Sequence, residues 1–273
     1  MALGLDQTQL DRYSRHIILD DVGPDGQAAL LDASVLVVGA GGLGSPVIQY
    51  LAAAGVGRLG IADDDVVERS NLQRQVIHGE RDIDRPKVAS AAEFVADLNP
   101  DVDVETHEIR IGPETVMDLV DGYDVVVDAT DNFQARYLIN DACALADIPV
   151  SHGAVYRFEG QVSTFERGPD SPCYRCLFPE APPEGAIPDC ATAGVLGVVP
   201  GMIGTVQATE TIKLLLDHGD SLSGRLWCVD ASRMDVESVP IRANPNCPVC
   251  SENPDIESVH DVTYADRCGI PAE

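Results

Sequence analysis

Short apolar runs alternate with amphipathic stretches along most of this chain. Val35 to Val38 is uninterrupted valine and leucine, the composition of a strand buried on both faces. Comparable runs predict strands at 34–39, 58–63, 102–110, 123–130 and 148–155. Between most of them the pattern turns helical, predicting helices at 46–55, 85–98 and 132–146. That order packs as a parallel sheet with helices on both faces. Ahead of it, Leu10, Tyr13 and Ile17 share one face of a helix expected from Asp6 to Leu19. Later, Gly160 to Phe165, Arg225 to Asp230 and Val236 to Arg242 alternate like antiparallel strands, with a helix expected from Met202 to Leu216. The expected fold is therefore α/β: a Rossmann-like, mostly parallel sheet with helices on both faces, extended by antiparallel strands in the second half. A single domain over 1–250 holds it, its nucleotide-binding part near 30–150. The part near 151–250 contains Pro169 to Pro200, a proline- and glycine-rich loop too long for a tight connection. An acidic, partly ordered tail is expected at 251–273.

The chain has 273 residues, 45% of them hydrophobic, enough for one large core. No run reaches the ~18 apolar residues of a membrane-spanning helix, and the polar N-terminus lacks a signal pattern. A cytoplasmic protein without membrane contact is expected. Asp and Glu number 45 against 18 Lys and Arg, a net charge of −27 that would repel nucleic acid. Lys87 and Lys213 are the only lysines. Acidity with so little lysine points to a high-salt cytoplasm, where a screening length of about 3 Å suppresses self-repulsion.

Gly39-Ala40-Gly41-Gly42-Leu43-Gly44-Ser45 lies between a strand and a helix. In that order glycines such as Gly41, Gly42 and Gly44 let backbone approach a phosphate, and the helix N-terminus faces the anion. Asp63 lies 24 residues past Gly39, close to the ~20-residue spacing of a carboxylate on ribose hydroxyls. These features alone fit NAD as well as ATP. Basic residues change the balance. Asp84-Arg85-Pro86-Lys87 opens a helix, with Asp84 a candidate N-cap and Pro86 in the first turn. A lysine there opposes the helix dipole by roughly 0.3–1 kcal/mol unless an anion shares the site. Arg74 follows the Asp63 strand closely and supplies a second cation. Asp128-Ala129-Thr130-Asp131-Asn132 ends a strand and opens a helix, which puts Asp131 at the carboxyl edge of the sheet, where ligands bind. A carboxylate facing a triphosphate needs a bridging cation, so Asp131 is expected to hold Mg²⁺. Asp131 or Asn132 could cap the helix instead, or as well.

Cys173-Tyr174-Arg175-Cys176 and Cys247-Pro248-Val249-Cys250 offer four thiolates in two turns, the pattern of a structural, four-coordinate zinc. Disulfides are the rival, disfavoured in a reducing cytosol. Cys190 is a lone cysteine in the long loop, and by itself reads as a small apolar residue, as do Cys143 and Cys228. Cys268, in the tail, gives no signal.

Together with Arg12-Tyr13-Ser14-Arg15, Ser70-Asn71-Leu72-Gln73-Arg74 and Cys190 to Gly194, these motifs resemble the ubiquitin-activating superfamily in its compact form. The resemblance is to the MoeB/ThiF sulfur-carrier adenylyltransferases, most of all the archaeal UbaA type of a halophile, and runs from about Arg12 to Cys250. It implies that Asp63 takes the ribose of ATP, that Asn71, Arg74 and Lys87 lie near its phosphates, with Ser70, Leu72, Gln73 and Asn132 alongside, and that Asp131 coordinates Mg²⁺. It further implies Arg15 donated across a homodimer, Cys190 as a thiol forming a thioester or acyl-disulfide, and one structural Zn²⁺. The implied substrate is the C-terminal glycine of a small ubiquitin-like or sulfur-carrier protein ending in Gly-Gly, adenylated with release of pyrophosphate. Protein conjugation, or sulfur transfer for molybdopterin synthesis and tRNA thiolation, would follow. Because the chain ends soon after Cys250, a separate sulfur donor is expected. The alternatives are a dedicated thiamin-synthesis activator, an NAD-dependent oxidoreductase and a non-catalytic scaffold.

Overall fold

The computed structural model describes residues 5–166, 168, 171–181 and 194–264. Its centre is an eight-stranded sheet with strands β1 (Ser34–Val38), β2 (Arg58–Ala62), β3 (Asp103–His107), β4 (Val125–Asp128), β5 (Val150–Tyr156), β6 (Glu159–Phe165), β7 (Arg225–Asp230) and β8 (Asp235–Pro240). They lie in the order β3-β2-β1-β4-β5-β6-β7-β8. From β3 to β5 neighbours run parallel, and from β5 to β8 antiparallel. The order switches direction between β1 and β4, which makes the carboxyl ends of those two strands the natural ligand crevice.

The helices are α1 (Gln7–Arg12), α2 (Ser14–Ile17), α3 (Gly23–Asp32), α4 (Gly44–Ala54), α5 (Lys87–Leu98), α6 (Val116–Val120), α7 (Phe133–Ala146), α8 (Tyr174–Leu177) and α9 (Val198–Leu216). Strand β1 shows why its sequence is uniformly apolar. Val35 and Val37 pack with Val47, Ile48 and Leu51 of α4 and Ile203 of α9, in a core that α5 also joins. Leu36 and Val38 pack on the opposite face with Leu119 of α6 and Leu138 of α7. Each side chain in that run is buried because both faces are covered.

Several elements depart from the sequence expectation. The helix expected from Asp6 to Leu19 is two short helices broken at Tyr13. Tyr13 turns inward against Gly55, and its hydroxyl meets Asn99 at 2.9 Å and Asp101 at 3.2 Å. Helix α5 begins at Lys87, and Asp84 does not cap it. Asp84 has a left-handed φ of 67°, and the 84–86 segment bridges back to residues 66–67 instead of winding into the helix. Helix α3 is unexpected, its two glycines and Pro24 having masked it, and α6 is too short to register as a period. Helix α9 starts four residues before Met202, with Pro200 tolerated in its first turn. Beyond Cys250, Ile256, Val259 and Tyr264 are buried, so this stretch packs onto the body. Among the described residues no helix is long and apolar enough to cross a membrane.

Candidate active site

The glycine loop connects β1 to α4 in a curl that side chains would block. Gly39 has a φ of 101°, and a Cβ there would lie 2.7 Å from the Ala129 carbonyl oxygen. At Gly44 a Cβ would fall 1.8 Å from the Gly39 carbonyl oxygen, so residues 39 and 44 must be glycine for the loop to close. Two side chains then pin the loop. Asp63, just past β2, accepts the Ala40 N–H at 2.7 Å and the Asp65 N–H at 2.9 Å through its two oxygens. His78 reaches the Ala40 carbonyl at 3.0 Å through Nε2 and Ser90 Oγ at 2.9 Å through Nδ1. A carbonyl can only accept, which assigns the His78 proton to Nε2. Burial pushes the His78 pKa down.

A cavity of about 310 Å³ opens above this loop at the carboxyl ends of the strands. Of the residues singled out from sequence, Gly41, Gly42, Asp63, Arg74, Lys87, Asp131 and Asn132 line it. Lys87 is only 5% exposed. Its ammonium lies 2.6 Å from Asp65 Oδ2 and 3.8 Å from Asp63 Oδ1. Burial raises the Asp63 pKa, an effect opposed by the Lys87 charge and the two amide bonds. The site is thus a preformed ion cluster over a backbone cradle, and the carboxylates hold the lysine that the helix dipole disfavours.

Six of the expected residues that the structure describes lie outside this lining. Ser70, Asn71, Leu72 and Gln73 do not reach the cavity; they build the turn that delivers Arg74. Asn71 is buried and accepts the Glu68 N–H at 3.0 Å, while the Ser70 carbonyl accepts from Arg74 Nη1 at 3.1 Å. Gly44 shapes the loop without facing the cavity. Asn132 caps α7, accepting the Ala135 N–H at 2.8 Å. Arg15 is exposed on α2, away from the cavity of its own chain. Cys190 falls outside the described residues.

Sequence reasoning missed Arg110 and Arg136, which also line the cavity. Arg136 sits in the first turn of α7, 8% exposed, with Nη2 3.3 Å from the Thr130 carbonyl oxygen and a buried Nε without a partner. Its signal was present: a basic residue one turn after a helix cap, at the carboxyl edge of the sheet. With Arg74 and Lys87, four cations face four carboxylates, Asp63, Asp64, Asp65 and Asp131. A triphosphate entering this balanced site brings excess negative charge, which a divalent cation on the exposed Asp131 carboxylate would offset.

A larger groove of about 970 Å³ shares Asp131, Arg136 and Val155 with the cavity over the glycine loop. It runs over β5 to β8 on an aromatic floor of Tyr137, Tyr156, Tyr174 and Phe178. Another depression of about 1070 Å³ lies at the opposite, amino ends of the parallel strands, beside Asp32, Asp124 and Pro149, remote from the glycine loop.

The two cysteine pairs converge. Cys173 and Cys247 sulfurs lie 3.5 Å apart, Cys176 and Cys250 sulfurs 3.4 Å apart, and all four fall within 4.8 Å of one another. Tetrahedral coordination at about 2.3 Å per Zn–S bond requires sulfurs about 3.8 Å apart, so the donor set fits such an ion. The Asn244 N–H points at the Cys176 sulfur at 3.3 Å, the kind of bond a metal-bound thiolate accepts. None of the described cysteines is in a disulfide.

A sequence profile described as the ThiF family matches residues 13–249 of the chain. The chain belongs to the ThiF family. Within the ThiF family it is 61% identical over 270 residues to the SAMP-activating enzyme E1 of Haloferax volcanii, an alignment covering 99% of both chains. It is 48% identical over 266 residues to the sulfur carrier protein adenylyltransferase of Thermus thermophilus, covering 96% of this chain and 97% of that one. A probable adenylyltransferase/sulfurtransferase of Mycobacterium tuberculosis, MoeZ, is 47% identical, covering 100% of this chain and 68% of its own length. Among solved structures, Escherichia coli MccB superposes with a TM-score of 0.80 at 22% identity, covering 92% of this chain and 75% of that one. The ThiF fold is shared at that distance.

Proposed function

We propose that the chain is an ATP-dependent adenylyltransferase that activates the C-terminal glycine of a small ubiquitin-like or sulfur-carrier protein ending in Gly-Gly. The observation that carries this reading is a glycine-floored cavity ringed by Arg74, Lys87, Arg136 and Asp131 in a chain so similar over its whole length to a SAMP-activating enzyme. Four cations at a phosphate-sized cradle favour a triphosphate over the oxidoreductase alternative, and retention of all of them disfavours a scaffold.

In this reading the carrier's tail lies extended along the aromatic groove and enters the cavity beside Asp131 and Arg136. Its terminal carboxylate oxygen attacks the α-phosphorus, a new P–O bond forms, the bond to the β-phosphate oxygen breaks, and pyrophosphate leaves. Arg74, Lys87 and Arg136 neutralise charge shared among the phosphate oxygens, and the glycine loop fixes the α-phosphate in line with the carboxylate. Asp63 retains acceptor capacity for ribose hydroxyls. When bound at Asp131, Mg²⁺ would neutralise the departing pyrophosphate. No protein nucleophile is needed for this step.

Further parts of the reading concern groups beyond the cavity. Arg15 enters a partner's site across a homodimer. The Cys190 thiolate attacks the acyl-adenylate to form a thioester, and AMP leaves. The acyl-disulfide forms instead when Cys190 already carries a persulfide sulfur from a separate donor, whose outer sulfur attacks the same carbon and again releases AMP. Zn²⁺ occupies the four-cysteine cluster in a structural role, since four protein ligands leave it no open position. The test is mass spectrometry of a candidate carrier after incubation with enzyme, ATP and Mg²⁺. The carrier should gain one adenylate, and Lys87→Ala should lower its rate of formation by on the order of 10²–10³. An unmodified carrier across all Gly-Gly-ending candidates, or an undiminished rate with Lys87→Ala, contradicts the reading.

A further inference from the structure

The turn that brings Thr130 and Asp131 to the cavity is held from behind by two buried groups. Asp128 ends β4 and His152 lies directly opposite it on β5. His152 Nδ1 lies 2.8 Å from Asp128 Oδ2, and each side chain is 3% exposed. The other oxygen, Asp128 Oδ1, accepts the Thr130 N–H at 3.1 Å and the Thr130 hydroxyl at 2.6 Å. Gln207 Nε2 donates to the Asp128 carbonyl at 2.8 Å. The carboxylate is therefore divided: one oxygen is occupied by the imidazole and the other shapes the turn. His152 is itself wedged by rings, with centroids 4.9 Å from Tyr174 and 6.0 Å from Phe165. Its Nε2 is buried with no partner, so a single hydrogen bond, to Asp128, accounts for the polar role of this imidazole. A buried polar ring with one satisfied nitrogen is costly where a phenylalanine would pack as well.

We infer that His152 is a positioning residue for adenylation, acting through Asp128 to fix the Thr130–Asp131 turn against the nucleotide. This rests on reading the cavity as the ATP site. With Nδ1–H donated to Oδ2, the carboxylate is held in one rotamer, which presents Oδ1 to Thr130. Without that donor Oδ2 is left buried and unpaired and only Thr130 itself holds the carboxylate, so the turn that carries Asp131 and the Thr130 carbonyl that meets Arg136 loses its anchor to β5. Partners one layer behind reacting groups commonly contribute 10- to 100-fold in this way.

Two substitutions separate positioning from packing. His152→Phe keeps a ring beside Tyr174 and removes the donor, whereas His152→Asn loses the ring and keeps an N–H close to the position of Nδ1. Carrier-dependent exchange of pyrophosphate into ATP, measured well below each variant's unfolding midpoint, should show kcat/KM for ATP reduced about 10-fold or more in His152→Phe and held within about threefold in His152→Asn. Should His152→Phe fail to fold, Thr130→Val, which removes the hydroxyl that Asp128 accepts, is expected to show the same fall. The inference is overturned if His152→Phe, or Thr130→Val in its place, matches the unsubstituted protein, or if His152→Asn is as impaired as His152→Phe. Absence of exchange in the unsubstituted protein would instead remove the ATP-site reading itself.

Discussion

His78 and His152 hold two parts of the cavity wall, the glycine loop and the Thr130–Asp131 turn, as buried, neutral rings. Burial pushes the pKa of each below the ordinary 6.5, in His152 against the pull of Asp128. The unfolded chain therefore takes up protons near pH 6.5 that the folded chain refuses. Stability from these groups is fully present above about pH 6.5 and is lost as pH falls from there toward their folded values. Asp63 and Asp128 shift in opposite directions about an ordinary value of 3.8, Asp63 raised and Asp128 lowered. Asp128 adds to the acid loss only at much lower pH. The thermal midpoint is expected to drop between pH 7.5 and 5.5 at constant salt, and a flat profile over that window would contradict neutral burial of the pair. The sequence showed both histidines but no reason to choose them, because what makes them matter is a partner far along the chain, Ala40 for one and Asp128 for the other.

Helix α7 joins the two chemical centres. Its N-terminal end carries the Asn132 cap and Arg136 at the cavity. Further along, Asn140 accepts the Tyr174 N–H at 2.8 Å and sits 3.9 Å from the Cys173 sulfur. The next residue, Asp141, takes Arg175 through both oxygens, at 2.7 and 2.6 Å, with Tyr264 on the same carboxylate at 2.8 Å. The knuckle Cys173-Tyr174-Arg175-Cys176 thus grips α7 with the two residues between its cysteines, and Tyr174 also touches His152. With the proposed zinc at the cluster, its removal should release both grips. Zinc association of roughly 10–16 kcal/mol is as large as the stability of a whole domain. A strong chelator is therefore expected to lower the thermal midpoint and to weaken ATP binding measured calorimetrically without carrier. Unchanged ATP affinity in metal-free, folded protein would show that the centres are independent. From sequence, the cysteine spacing revealed the four-cysteine cluster, and the strand and helix periods revealed most of the sheet. The coupling was hidden, because Asn140, Asp141 and Tyr264 look like ordinary polar residues until tertiary packing unites them.

Over the whole molecule, one sheet carries two jobs. Its parallel half ends in the glycine-floored cavity, and its antiparallel half lines the adjoining groove. That division was legible from alternating patterns, as were the glycine loop, Asp63, Lys87 and Asp131. The break at Tyr13 and the true start of α5 were not, since both are set by contacts distant in sequence; Asn71 builds a local turn instead of lining the cavity, and Arg136 left a signal in the basic residue that follows the α7 cap. The net charge of −27 makes assays at high salt the appropriate setting, where screening leaves buried Lys87 and its largely enclosed partner Asp63 as the least screened charges. The central claim is that this cavity and groove together activate a C-terminal glycine. Its most direct measure is ATP–pyrophosphate exchange at high salt, with a Gly-Gly-ending carrier compared with the same carrier lacking its last glycine. Exchange stimulated by the intact carrier and lost with the shortened one is the predicted result. Exchange indifferent to the carrier, or absent with every intact carrier tried, would contradict it.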